Sequence, residues 1–360
     1  MSETIQESEK AERLLMLKGW AKHLLLAREK TVGDHFRLVP ASDDASFRRY
    51  FRPEAASDEG TLMSLKYVFV DAPPTHENNQ AFLQIKDLLA AAGVRVPEIY
   101  ESDLETGYMM IENFGDQLCL ASLEKSEDIE KRALIQRAMA VIAQMQLIAG
   151  EVVLPVYDRL LLASEMNLFA EWFVARQLNL KLTDEEIAEI ERVKGLLIES
   201  SLEQPQVFVH RDFHSRNLMV LGDRDLGVID FQDAVMGPVT YDLVSLLKDC
   251  YFRFPREEVC KRVEEFRLML ERDGKLSDVD SDTFLKWFDL MGMQRHLKCA
   301  GIFSRLNLRD GKSRYLADIP LVVDYIVETS AYYPELAAFG VWLKQRIVPV
   351  LDDIFLEEVN

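Results

Sequence analysis

Residues 207 to 233 read VFVHRDFHSRNLMVLGDRDLGVIDFQD, and no other stretch places so many chemically capable side chains between apolar runs. The short β-branched run Val207 to Val209 is expected to be a buried strand, ending at His210 where polar residues take over. A loop follows, with Asp212 and Asn217 five residues apart. A second apolar run, Leu218 to Leu221, the turn residues Gly222 and Asp223, and a third run, Leu226 to Ile229, then predict a hairpin, with Asp230 directly after it. Two acidic groups and an amide at the mouths of adjacent strands suit a divalent metal.

Phosphoryl transfer needs an acceptor for the substrate hydroxyl proton and oxygen ligands for Mg²⁺. The kinase catalytic loop, H-R-D-x-x-x-x-N, supplies the acceptor and one ligand. Here it reads His210, Arg211, Asp212, Phe213, His214, Ser215, Arg216, Asn217, a match in spacing residue for residue. The second ligand in kinases is the Asp of D-F-G. Asp230 is followed by Phe231, and Gln232 stands in place of the glycine.

The chain's 360 residues exceed what one hydrophobic core usually supports, so two lobes are expected. A net charge of −19, from 42 basic and 61 acidic residues, argues against a nucleic-acid groove or an anionic membrane as partner. Cys119, Cys250, Cys260 and Cys299 show no metal-binding or disulfide framework and read as reduced thiols. The polar, acidic start MSETIQESEK is unlike a signal peptide, and no apolar run approaches the roughly 18 residues that span a bilayer. The expected compartment is the cytoplasm, and no protein partner is evident.

Taken in order, Leu14, Leu15, Leu17, Trp20, Leu24 and Leu25 predict a leading helix over 7 to 29. Phe36 to Val39, Ser46 to Phe51 and Leu62 to Val70 read as antiparallel strands, with Lys66 inside the third. Pro73 and Pro74 end that strand, and a helix is expected from about Glu77 to Ala92. Ile99 to Ser102 and Tyr108 to Glu112 read as two further strands around a turn at Gly107. A small sheet lobe, 1 to 112, ends there, and a helical lobe fills 113 to 360. Its helices are expected at about 127 to 149, 158 to 179, 183 to 201, 255 to 272, 281 to 306, 318 to 330 and 336 to 357, with a break at Gly237-Pro238.

This plan resembles the α+β, two-lobed protein-kinase-like fold, and within it the aminoglycoside phosphotransferase and choline kinase group. Only a dozen residues separate Asn217 from the V-I-D ending at Asp230, which leaves no room for a long activation loop. The blocks SFRRYFR at 46 to 52, VDAPP at 70 to 74, VHRDFHSRNLM at 209 to 219, DFQDAVMGPVTYDLVSLLKDCY at 230 to 251 and MGMQRHLKCAGIFSRLNLRDGKSRYLADIP at 291 to 320 resemble the bacterial anomeric kinases of N-acetylmuramate and N-acetylglucosamine, which act in cell-wall recycling.

The resemblance implies ATP and Mg²⁺ as cofactors and a small amino sugar as substrate. Asp212 would take the proton of the anomeric hydroxyl, and Asn217 and Asp230 would hold Mg²⁺. No glycine lies between Gly33 and Gly60, where kinases cover the phosphates with a glycine-rich loop. Ser46, Arg48, Arg49 and Lys66 are the candidates for that work, and the connector from Glu112 is the expected place for adenine. Candidates on the sugar side are Asp233, Arg295, His296 and Lys298, with a mixed helix-packing surface as the alternative for the last three. His210 is expected to hold the catalytic loop with its ring, and the resemblance gives Asp242 a bracing role by hydrogen bonding. A kinase of choline or an aminoglycoside, and a nucleotide-binding pseudokinase, are the competing readings.

Overall fold

In the computed structural model of the protein, residues 2–29, 36–41, 47–54, 66–148, 154–222 and 225–351 are described. They form two compact units, Met1–Leu118 with Met219–Gln232, and Cys119–Leu218 with Asp233–Asn360.

The first unit begins with α1 (Ser2–Glu29). Strands β1 (Arg37–Pro40), β2 (Arg49–Glu54) and β3 (Tyr67–Asp71) follow, then α2 (Asn79–Ala91), β4 (Ile99–Asp103) and β5 (Tyr108–Glu112). The strands make an antiparallel sheet in the order β1-β2-β3-β5-β4. In α1, Leu17, Ala21 and Leu25 recur every four residues, one helical face, and are fully buried with Phe51, Tyr67, Phe69, Tyr108 and Met110. Trp20 meets Phe69 edge-on at 6.2 Å. At ~1.5–3 kcal/mol per large buried side chain, this face holds helix and sheet together. The alternation of strand side chains puts Val68, Val70, Met109 and Ile111 on the sheet's other face, and they are buried as well. At the β4–β5 turn Gly107 has φ +78°, and a Cβ there would lie 2.0 Å from the Ala72 carbonyl oxygen, so only glycine fits.

Three boundaries differ from the sequence expectation in ways that matter for the site. β2 starts at Arg49 rather than Ser46, and β3 starts at Tyr67, which leaves Lys66 just outside the strand. α2 starts at Asn79 because the Asn78 side chain caps it by accepting from Ala81 N, so Glu77 precedes the helix. The expected strand residues 62 to 65, and Ser46, lie outside the described residues.

The second unit is mainly helical: α3 (Cys119–Lys125), α4 (Asp128–Met145), α5 (Arg159–Leu168), which widens into a π-helical stretch over Phe169–Gln177, and α6 (Asp184–Leu202), started by a capping box of Thr183 and Glu186. After β6 (Gln206–Val209) come β7 (Leu218–Val220), β8 (Leu226–Val228) and β9 (Val235–Pro238). Here Gly237-Pro238 does not break the chain: β9 pairs antiparallel with β6, Val209 opposite Val235, and Pro238 sits at the ladder's end, where a missing N–H is tolerated. The hairpin β7–β8 belongs with the first unit, through Val220 N to the Gln117 carbonyl and Val228 N to the Arg95 carbonyl, both 2.8 Å. Phe231 beyond it stacks on Phe82 of α2 at 4.9 Å.

The helices α7 (Tyr241–Leu247), α8 (Arg256–Arg272), α9 (Ser281–Asp310), α10 (Ile319–Tyr332) and α11 (Ala337–Trp342) complete the second unit. α9 is buried from Phe284 to Ser304 on nearly every side, as expected of a helix at the centre of its unit, and Gly311 in the left-handed conformation closes it. Among its buried polar groups, Asp289 takes Lys248 at 2.9 Å and Arg256 at 2.6 Å.

The sheet unit hides one carboxylate. Asp71, fully buried at the end of β3, accepts from Arg13 Nε at 2.9 Å and Arg49 Nε at 3.0 Å. Its loss leaves two arginines facing each other, each about a fifth exposed and so partly able to reach water. Asp71→Ala is therefore expected to destabilise the fold by about 3 kcal/mol, at the low end for a broken buried ion pair, read as a lowered chemical-denaturation midpoint.

Candidate active site

The catalytic-loop residues lie between β6 and β7 in the second unit. As the chain leaves β6, the fully buried Asp242 of α7 accepts the backbone N–H of His210 at 2.7 Å and of Arg211 at 3.1 Å. Arg211 takes φ +74°, a strained conformation for a non-glycine residue that these two bonds hold in place. His210, fully buried, accepts the Asp212 N–H on Nδ1 at 3.3 Å. The Asp212 carbonyl in turn accepts His214 N and Asn217 Nδ2, each at 3.0 Å, and Asp249 accepts Ser215 N at 2.9 Å. The loop's polar backbone is thus satisfied from within and from two buried aspartates.

Electrostatics set the two carboxylates apart. Desolvation pushes Asp212 up, but the charges of Lys298, His214, Arg295 and Arg211 outweigh it and bring its pKa down to about 2. Asp242 is raised to about 7 by burial, against the two N–H bonds that favour its charged form. Asp212 is therefore the carboxylate that stays ionised at neutral pH.

Behind the loop sits a charged cluster that pattern reading did not anticipate. Glu165 of α5 pairs with Arg211, with Lys298 at 3.1 Å and with the Tyr157 hydroxyl. Lys298 also donates to the Tyr241 hydroxyl at 3.2 Å, Arg295 reaches Cys250 Sγ at 3.3 Å, and Arg211 Nη1 donates to the Asp233 carbonyl at 3.4 Å. The signal for Glu165 was a lone charge on the buried stripe of Leu162, Met166 and Phe169. His296 stands apart: fully buried, its Nε2 lies 2.9 Å from the Lys248 carbonyl, its ring stacks on Tyr325 at 4.7 Å, and burial holds its pKa well below the ordinary value.

In the first unit, Asp230 lies two residues past the end of β8 at φ +64° and accepts from Gln232 Nε2 at 2.8 Å. Arg48 is buried over the Phe82 ring at 4.5 Å and pairs with Glu77 at 3.1 Å, a partner the sequence reading did not assign. Arg49 is committed to Asp71. Lys66 is half-exposed and pairs with Glu29 at 3.2 Å. Glu112 binds Arg95 and accepts the Glu98 N–H at 3.2 Å.

The Phosphotransferase enzyme family model matches residues 37–275, and the chain belongs to that family. Among curated relatives, the N-acetylmuramate/N-acetylglucosamine kinase of Pseudomonas aeruginosa is 42% identical over 303 residues, covering 84% of this chain and 86% of its own. The protein of the same name from Pseudomonas putida is 42% identical over 332 residues, covering 91% and 95%. The fold is kinase-like. An ADP-bound aminoglycoside phosphotransferase is similar at TM-score 0.55 and 16% identity, over 86% of this chain and 97% of that one, and a Plasmodium vivax ethanolamine kinase at 0.57 and 14%, over 85% and 87%. No helix among the described residues is long and apolar enough to cross a membrane.

Charge on Glu165 has a measurable consequence. Burial raises its pKa, but Lys298, Arg211 and the Tyr157 hydroxyl outweigh it, so the folded value lies below the ordinary 4.5. A depressed carboxylate stabilises the fold above about pH 4.5, and that contribution is lost as pH falls through the lower folded value. Denaturation midpoints are expected to drop as pH falls below 4.5, with a shallower slope in Glu165→Gln.

Proposed function

We propose that the protein transfers the γ-phosphoryl group of ATP to the anomeric hydroxyl of N-acetylmuramate or N-acetylglucosamine, giving the sugar 1-phosphate, as a step in peptidoglycan recycling. The observation that carries the reading is the ionised Asp212 on a loop gripped by Asp242, in a chain 42% identical to kinases named for those two sugars. Asp212 accepts or orients the proton of the attacking hydroxyl. The nearby charges of Lys298, Arg295 and Arg211 keep it anionic before the sugar arrives.

The donor set fits Mg²⁺. Asn217 gives its Nδ2 to the Asp212 carbonyl, which turns the amide oxygen, its ligating atom, away from that bond. An amide oxygen and a carboxylate are the few hard oxygen donors that Mg²⁺ takes from proteins, waters and phosphates filling the rest. Asn217 and Asp230 would hold the ion, which when bound neutralises charge developing on the phosphoryl oxygens. On the nucleotide side all three candidate cations are paired, Arg48 with Glu77, Arg49 with Asp71 and Lys66 with Glu29, and the half-exposed Lys66 is the one best able to meet a phosphate in this reading.

ADP release is to be followed with N-acetylmuramate, N-acetylglucosamine, choline and kanamycin, and the product identified by ³¹P NMR. Turnover of an amino sugar to its 1-phosphate is expected. A 6-phosphate, or no turnover with either amino sugar, overturns the proposal. Asp212→Asn is expected to lower kcat by about 10³-fold while leaving ATP affinity within about threefold, because the side chain is assigned to proton transfer rather than nucleotide binding.

A further inference from the structure

An acceptor kinase in a chain of net charge −19 has to offer an anionic sugar a cation near the attacking hydroxyl. Of the buried cations at the catalytic loop, Arg211 and Lys298 bind Glu165, and Arg295 is enclosed against the Cys250 thiol. Arg216 differs. It is four residues from Asp212 in the loop itself, its side chain is 39% exposed, and its one ion pair among the described residues is a long one, 3.8 Å from Nη1 to Asp318.

The surroundings of Arg216 are aromatic. Its guanidinium lies over the Tyr251 ring at 3.6 Å, and His214 meets the same ring edge-on at 5.2 Å. Tyr251 leads to Phe303 at 6.3 Å, and Phe303 stacks on Tyr315 at 5.6 Å. Phe303 is buried, while Tyr251, Tyr315, His214 and Asp318 are half-buried, so the group forms a partly open face beside the catalytic loop. All of it lies within the second unit.

Each part has a chemical match in a carboxylate-bearing amino sugar. A guanidinium flattened on an aromatic ring is pre-oriented and presents its edge N–H groups, which pair with a carboxylate in a fork that an ammonium cannot reproduce. Half-buried aromatic rings offer apolar surface to the C–H faces of a sugar and to an N-acetyl methyl group, and the Asp318 carboxylate accepts from hydroxyls.

Resting on the proposed sugar kinase activity, the geometry points to Arg216, Tyr251 and Tyr315 as the acceptor subsite, with Arg216 the residue that selects a sugar ether bearing a carboxylate over the same sugar without one. The carboxylate of N-acetylmuramate sits against Arg216. N-Acetylglucosamine uses the aromatic face alone.

The test compares kcat/KM ratios, which do not change if a variant is only partly folded. In the wild type, the methyl ester of N-acetylmuramate is expected to be about tenfold poorer than the free acid, because the ester cannot form the charged pair. In Arg216→Gln the preference for N-acetylmuramate over N-acetylglucosamine is expected to fall by about tenfold, and the acid and ester to become equal within about twofold. Tyr315→Leu is expected to raise KM for both sugars, with Tyr315→Phe close to wild type. Wild-type turnover of both sugars with an unchanged acid-to-ester ratio overturns the subsite alone. Absence of amino-sugar turnover by the wild type overturns the sugar kinase reading and the subsite with it.

Discussion

The Asp242 carboxylate is the interaction on which the catalytic loop depends. It is fully buried, and it receives two consecutive backbone N–H groups at the point where β6 gives way to the loop. Without that acceptor the Arg211 backbone at φ +74° would have no compensation for its strain, and two buried donors would be left unsatisfied at about 1–3 kcal/mol each. Everything after it inherits the geometry. His210 accepts from Asp212 N, and Asp212 accepts from Asn217 through its main-chain carbonyl.

The same device, a buried carboxylate organising cations and donors, recurs across the chain. Asp71 gathers Arg13 and Arg49 under the sheet, Glu165 gathers Arg211 and Lys298 behind the loop, and Asp289 gathers Lys248 and Arg256 within the helical unit. Each cation buried this way is held by its partner and removed from the set that can meet an anionic ligand. In a protein carrying 19 excess negative charges, that makes the few partly exposed arginines near the loop disproportionately informative.

Much of the architecture was legible in the linear pattern. The helical period of Leu14, Leu15, Leu17, Trp20, Leu24 and Leu25 marked α1, the apolar run up to Val70 marked a strand, and Gly107 marked the β4–β5 turn. Misreadings came where a local signal competed with a distant partner. Gly237-Pro238 looks like a chain break until β6 is there to pair with it, and Lys66 looks like a strand residue until the ladder is seen to begin at Tyr67. Glu77 looked like the start of a helix, yet Asn78 caps the helix after it and Glu77 pairs with Arg48.

The order of residues alone decided which groups stand together along the chain: two carboxylates and an amide at kinase spacing around a hairpin. Those relations span few residues, so backbone geometry carries them directly. Tertiary structure decided which charged side chains are spoken for. Arg49, Arg295, Lys298 and His296 are indistinguishable from ligand-binding residues in a string, because long polar side chains find partners from distant parts of the chain. Only packing shows that Arg49 pairs with Asp71 and Lys298 with Glu165, that His296 is buried against the Lys248 carbonyl and Arg295 against the Cys250 thiol, and that Arg216 lies over an aromatic ring with 39% of its side chain exposed.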